Sequence, residues 1–178
     1  SPANPTGGVM TKETMDRVAK ALAKFPDAML LADEIYSRIV YEGKHLSLLA
    51  YPGMKERTIL LDGFSKTWAM TGWRLGYGVG PKWLIDAVAK LSTNDHSCVP
   101  AFSQFAAIEA LTGPQDSVTA MVAEFKRRRD VIVKGLNALP GVTCKIPKAA
   151  FYVFPSIKGT GLKSKALADA LLAEAGVA

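Results

Sequence analysis

Two short apolar runs that stop abruptly at polar residues constrain the fold more than anything else in the chain. Residues 28–32 (AMLLA) give way to Asp33 and Glu34, and residues 58–61 (TILL) give way to DGFSK. Runs of that length without alternation suit strands covered on both faces, as in a parallel sheet. A helix is expected over residues 11–24, capped by Thr11, with Met15, Val18, Ala19, Leu22 and Ala23 on one face. A third strand is expected at 75–79. Pro81 then opens a helix whose apolar face is Leu84, Ala87, Val88 and Leu91. Strands alternating with helices imply an α/β architecture with a mostly parallel sheet.

The pattern changes further along. Helices are expected over 101–111 and 115–139, separated by Gly113-Pro114 and ended by Pro140-Gly141. Residues 142–146 and 151–157 read as strands on either side of Pro147, and a helix is expected over 164–175. Two units are therefore expected. Residues 1–114 form part of a large α/β domain, and residues 115–178 form a linking helix and part of a smaller α+β domain. The ends, SPANPTGG and LLAEAGVA, lead us to expect a segment of a longer polypeptide. Such a segment would leave a sheet edge unpaired and prone to association.

Composition narrows the partners. A chain of 178 residues can bury a real core. A net charge of +6 helps attract small anions without arguing for nucleic acid. The basic run at 126–129 lies in a helical pattern and reads as a solvated face. Cys98 and Cys144 stand far apart, in neither metal nor redox spacing, and His45 and His96 are isolated. We therefore expect no metal site, two ordinary histidines, and a reducing, cytoplasmic setting. No apolar run has the length of a membrane span and no signal peptide is visible, so no membrane partner is expected.

In open α/β sheets, ligands bind beyond the carboxyl ends of the strands. Asp33 follows the first run. Ser65 and Lys66 follow the second, after a turn at Gly63. If the two strands are neighbours, Asp33 and Lys66 face one cleft. Lys66 stands among Phe64, Trp68 and Met70, where partial desolvation favours the neutral amine that a Schiff base requires. The plain alternative is a lysine paired with Asp62 or Asp33. Asn4, in ANPTGG, can mark a simple turn. The stretch from Asp33 to Tyr36 can be a strand end with a helix cap, and Arg74 can serve an acid. GYGVG at 76–80 is not a dinucleotide fingerprint, because its third glycine comes one residue early and no ribose-binding acid follows.

Taken in order, NPTG, DEIY, SK and GWRLGY resemble the fold type I pyridoxal-phosphate aminotransferases of the aspartate/aromatic family. EALTGPQD at 109–116 and AAFYVFP at 149–155 are similar to that family too. The resemblance implies pyridoxal 5'-phosphate as cofactor and a role for each residue. Lys66 would form the Schiff base and then shuttle the substrate α-proton. Asp33 would pair with the pyridine nitrogen. Tyr36 and Asn4 would hydrogen-bond the phenolic oxygen. Arg74 and Ser65 would grip the phosphate. The substrates would be an L-amino acid and a 2-oxo acid, and the assembly a homodimer.

The chain departs from the family at two places. Gly63 stands where many relatives carry a serine that reaches the phosphate. Ala149 stands where PxGAFY is usual, so the turn before Phe151 is expected to differ. Relatives supply a phosphate loop and a stacking aromatic before NPTG, and a substrate-binding arginine beyond the last residue here. Little activity is thus expected of this chain alone. Two other outcomes fit the same residues. One is a lyase or decarboxylase of the same fold. The other is a non-catalytic, ligand-sensing domain of a transcription regulator.

Overall fold

The computed structural model describes residues 1–177. Helix α1 spans Lys12–Leu22. The Thr11 hydroxyl caps it by accepting from the Thr14 amide at 3.2 Å, and Met15 is its buried anchor. Strand β1 (Leu30–Asp33) and strand β2 (Thr58–Gly63) are parallel neighbours, with Ala32 opposite Leu60 and Asp33 opposite Leu61. The one-turn helix α2 (Phe64–Thr67) follows β2 directly. Strand β3 (Gly76–Val79) then pairs with β2 in the antiparallel sense, Gly76 opposite Gly63.

The sheet is therefore mixed, in the order β1-β2-β3, rather than parallel throughout. The reason lies in the link between β2 and β3. A parallel return needs a crossover that carries the chain back to the opposite end of the sheet. Here α2 and a 3-10 turn at Thr71–Trp73 stay at one end, and the Phe64 amide closes the link by donating to the Leu75 carbonyl at 3.3 Å. The glycines of GYGVG lie within and just after β3, not in a phosphate turn. The expected cover on both faces is met only in part. Thr58 is fully buried, but Leu31 is 63% exposed and β3 is exposed along its length. Both β1 and β3 are edge strands.

Helices α3 (Lys82–Asp95), α4 (Ala101–Thr112), α5 (Asp116–Asn137) and α6 (Ser164–Ala175) lie where the periodicity and the Pro/Gly punctuation place them. The expected strands at 142–146 and 151–157 do not form. Thr143 and Ser156 make an isolated antiparallel bridge, and Ala149 makes another with Val40. Pro147 and Pro155 deny the ladder its donors. Gly141 also packs so closely on Gly159 that a Cβ there would lie 2.5 Å from the Gly159 carbonyl carbon.

Two apolar clusters organise the interior. Tyr36, Ile39 and Ala150 form one, with Ile35, Tyr41, Met121, Val122, Phe125 and Tyr152 against it. Phe64, Met70 and Ala107 form the other, with Trp68, Leu75, Ala106 and Ala110 against it. The basic run is not wholly solvated. Arg127 and Arg128 are exposed and pair with Glu124, but Arg129 is only 8% exposed. It donates to Glu42 at 3.0 Å and to the Pro147 carbonyl at 3.1 Å, and it lies over the Tyr41 ring. A buried guanidinium needs such a set of partners. No helix among the described residues is long and apolar enough to cross a membrane.

Candidate functional site

Asp33 ends β1 with an exposed carboxylate that accepts from the Ile35 amide at 3.2 Å. The strand path continues one residue further, through the Glu34 amide donating to Leu61 at 2.8 Å. The next turn brings Tyr36 inward, where it is 4% exposed. Asn4 comes from a turn closed by the Gly7 amide donating to Ala3 at 2.8 Å and the Ala3 amide donating to Gly8 at 3.0 Å. The Ser1 nitrogen of this turn donates to the Asp33 carbonyl at 3.2 Å. Asn4, Asp33 and Tyr36, with residues 1–3, line one hollow of about 220 Å³. Burial pushes the Tyr36 phenol well above the ordinary tyrosine range, and the contact with the Tyr152 hydroxyl adds to this in the direction where Tyr36 is the donor. A hydrogen bond from the Asn4 side chain opposes this shift, and the nearby Asp33 charge adds to it. Tyr36 therefore keeps its proton and can donate it.

Lys66 rides on α2, which is too short to be stable alone. Its neighbours fix it. Phe64 and Thr67 are buried, and the Trp68 ring lies 5.2 Å from that of Phe64. The indole N–H of Trp68 and a guanidinium N–H of Arg38 both donate to the Gln115 side-chain oxygen at 3.3 Å. The Gln115 amide nitrogen in turn donates to the Ala110 and Gly113 carbonyls. Lys66 is half-buried, its Nζ 5.8 Å from the centre of the Phe151 ring.

No ion pair joins Lys66 to Asp62 or Asp33 among the described residues. Asp62 is already engaged, accepting from the Gly63 amide at 2.7 Å and the Tyr77 hydroxyl at 3.2 Å. Burial pushes the Asp62 carboxyl up. Gly63 has a packing reason here: a Cβ on it would lie 3.0 Å from the Gly76 Cα and 3.2 Å from the Leu75 carbonyl oxygen.

Arg74 adopts the left-handed conformation, φ 51°, which is uncommon for a residue with a side chain. Its guanidinium is exposed and donates to the Thr71 carbonyl at 2.9 Å. No carboxylate pairs with it among the described residues. It lines a separate hollow with Ala69, Gly72, Trp73 and Phe102. Ser65 is half-buried and makes no hydrogen bond through its hydroxyl among the described residues. The structure thus gathers Asn4, Asp33 and Tyr36 in one hollow. It joins Lys66 to Tyr36 through Phe151, whose ring meets Tyr36 edge-on at 5.4 Å. Among the described residues, no hydrogen bond or ion pair links Arg74 to that group.

Sequence reasoning missed Phe151 and Tyr152 as site neighbours. The Tyr152 and Tyr36 hydroxyls lie 2.5 Å apart. The available signal was the adjacent aromatic pair in AAFYVFP, which reads as strand. His45 is a largely buried partner of Glu34, at 2.7 Å, directly after Asp33. Burial alone would raise the Glu34 carboxyl, but hydrogen bonds from His45 and Ser47 outweigh it and hold the group below its ordinary value. The described residues contain no group of His, Cys, Asp and Glu able to hold a metal ion.

The whole chain, residues 1–178, matches the family model described as aminotransferase class I and II. It is 42% identical to an aromatic-amino-acid aminotransferase of Thermococcus litoralis over 99% of its length and 46% of that protein's. It is likewise 42% identical to an aspartate aminotransferase of Pyrococcus abyssi, over 100% of the chain and 46% of the relative. The chain spans about half the length of the curated relatives it matches. Among solved structures, it superposes on the aromatic aminotransferase of Pyrococcus horikoshii with a TM-score of 0.95 at 41% identity, covering 100% of this chain and 48% of that one. The aspartate aminotransferase of Rhizobium meliloti gives 0.94 at 38% identity, with the same coverage.

Proposed function

The chain belongs to the aminotransferase class I and II family, whose members work with pyridoxal 5'-phosphate, and on that premise we propose that it carries the cofactor-anchoring part of an amino-acid aminotransferase. The reaction is transfer of an amino group between an L-amino acid and a 2-oxo acid, in the aspartate and aromatic range for which its relatives are named. One observation carries this reading. Asp33 and the turn bearing Lys66 emerge from the same ends of two parallel neighbouring strands, and among the described residues no acid pairs with the lysine.

The donor set suits the cofactor. Asp33 offers a carboxylate to a protonated ring nitrogen, Asn4 and Tyr36 offer hydrogen bonds to an anionic oxygen, and Lys66 offers an amine. Arg74 and Ser65 offer charge and a hydroxyl to a phosphate. When bound, pyridoxal phosphate supplies an aldehyde and an electron-withdrawing ring that stabilises negative charge at the substrate α-carbon. The chain's residues do the rest. Lys66 Nζ acts as nucleophile, then takes the α-proton and returns it. The Asp33 carboxylate would hold the positive charge of the cofactor's ring nitrogen. The buried Tyr36 hydroxyl donates at neutral pH. The Phe151 ring stands 5.8 Å from the Lys66 amine and offers it an aromatic face.

We assign residues 1–114 to the cofactor-binding domain and 115–178 to a linking helix and the smaller domain, supported by all three strands preceding residue 80. The working form is read as a homodimer in the cytoplasm, in keeping with two unpaired cysteines.

Borohydride reduction after mixing with pyridoxal phosphate, read by peptide mass spectrometry, tests the assignment. The expected result is one adduct, on Lys66, absent from Lys66→Ala. Label scattered over surface lysines would refute it. In the holoprotein, Lys66→Ala is expected to lower kcat by about 10²–10⁴, the range of a positioned acid–base group.

A further inference from the structure

We propose that Tyr152 is a positioning residue, whose hydroxyl donates to the Tyr36 hydroxyl and thereby directs the single Tyr36 proton into the hollow shared with Asn4 and Asp33. The inference rests on the reading above, in which Tyr36 serves the cofactor. The two hydroxyl oxygens are 2.5 Å apart, and either can donate. A phenol has one proton to give and lone pairs to receive with. If Tyr36 donated to Tyr152, nothing would remain for a ligand in the hollow. Donation by Tyr152 frees the Tyr36 proton; it lowers the phenol relative to the opposite direction, while burial, the larger cause, still keeps it raised.

The backbone is built to aim Tyr152 there. The Lys148 and Ala149 amides both donate to the Gly7 carbonyl at 3.0 Å, and the Ala150 amide donates to Ile39 at 2.9 Å. The Tyr41 hydroxyl donates to the Ala150 carbonyl. Between these contacts Ala150, fully buried, is held at φ 57°. An alanine persists in that region only where its surroundings over-determine it. Ala150 itself, not the substituted position 149, is thus the unusual residue of the turn. The Tyr152 ring meets Tyr36 edge-on at 5.6 Å, so its orientation is packed as well as bonded. The other groups facing the Tyr36 hydroxyl are Asn4 and Asp33, while Lys66 reaches only the intervening Phe151 ring.

The test uses the protein loaded with pyridoxal phosphate and reads the pH midpoint at which its visible absorption band shifts. A hydrogen-bonded chain strengthens its terminal donor. Losing Tyr152's hydroxyl therefore weakens Tyr36 as a donor, and the midpoint rises. Tyr152→Phe is expected to raise it by about 0.5–1 unit, the effect of one hydrogen bond of ordinary net strength. The same change is expected to add nothing once Tyr36→Phe is present. Replacing Tyr152 by 3-fluorotyrosine, a stronger donor of nearly the same shape, is expected to lower the midpoint. An unchanged midpoint in Tyr152→Phe, shifts that add in the double variant, or an upward shift with fluorotyrosine would each overturn the proposal. Borohydride labelling separates the two layers. Label on Lys66 with an unmoved midpoint sinks the inference and keeps the function. Failure to label Lys66 in the unsubstituted protein sinks the function and the inference together.

Discussion

The cluster behind Lys66 and the cluster behind Tyr36 are built over different spans of chain. Phe64, Met70 and Ala107 bring together α2, the turn after it and α4. Tyr36, Ile39 and Ala150 are joined by contacts that reach across more than half the sequence, from the Asn4 turn to the segment after α5. The helix bearing the amine is thus packed by nearer segments, although the amine itself faces Phe151, whereas the phenol is held by the far end of the chain. Contacts of long sequence separation carry the larger loop-closure cost, so the Tyr36 side is the one expected to loosen first.

Substitutions can break or sharpen this contrast. The largest effect is expected at Phe64, 3% exposed, where Phe64→Ala costs about 3–5 kcal/mol by denaturant unfolding and scatters the Lys66 label. Gly7→Ala comes next. Its Cβ would lie 2.4 Å from that of Pro147 at a backbone φ of +63°, so about 2–4 kcal/mol is expected from overpacking and left-handed strain together. That variant should also perturb Tyr36 and spare Lys66 labelling. If it spares both, the two clusters are not separable. Gln115→Ala removes the acceptor shared by Trp68 and Arg38, and about 1–3 kcal/mol is expected in the same assay.

The smallest effect concerns pH. Burial pushes the Tyr41 phenol from its usual 10.0 up to about 12. A raised phenol contributes stability that is complete below pH 10 and lost as pH rises through the folded value. Unfolding free energy is therefore expected to fall between about pH 10 and 12, and to fall less in Tyr41→Phe. A slope that does not change on this substitution would place the titration elsewhere.

What could be read from the sequence follows the same division. The strand tips at Asp33 and Gly63 were legible because an apolar run ending in polar residues is a local signal. Helix ends at Thr11, Pro81 and Gly113 were legible through capping and Pro/Gly chemistry. The direction of β3 was not, since it depends on where α2 and the Thr71–Trp73 turn send the chain. Residues 142–157 looked like strands because Val142, Cys144 and Ile146 alternate, but Pro147, Pro155 and the Gly141–Gly159 approach override that pattern. The burial of Arg129 and the pairing of Tyr152 with Tyr36 are long-range facts. No spacing along the chain encodes them.

The antiparallel return of β3 has a geometric consequence for the two cationic side chains. Lys66 and Arg74 sit on one loop whose base is sealed where Gly63 faces Gly76 and Phe64 bonds Leu75. Any tilt or slide of the sheet carries both residues as a unit. The spacing of the two backbone positions is thus set by a single stretch of chain, and only the side chains adjust the rest.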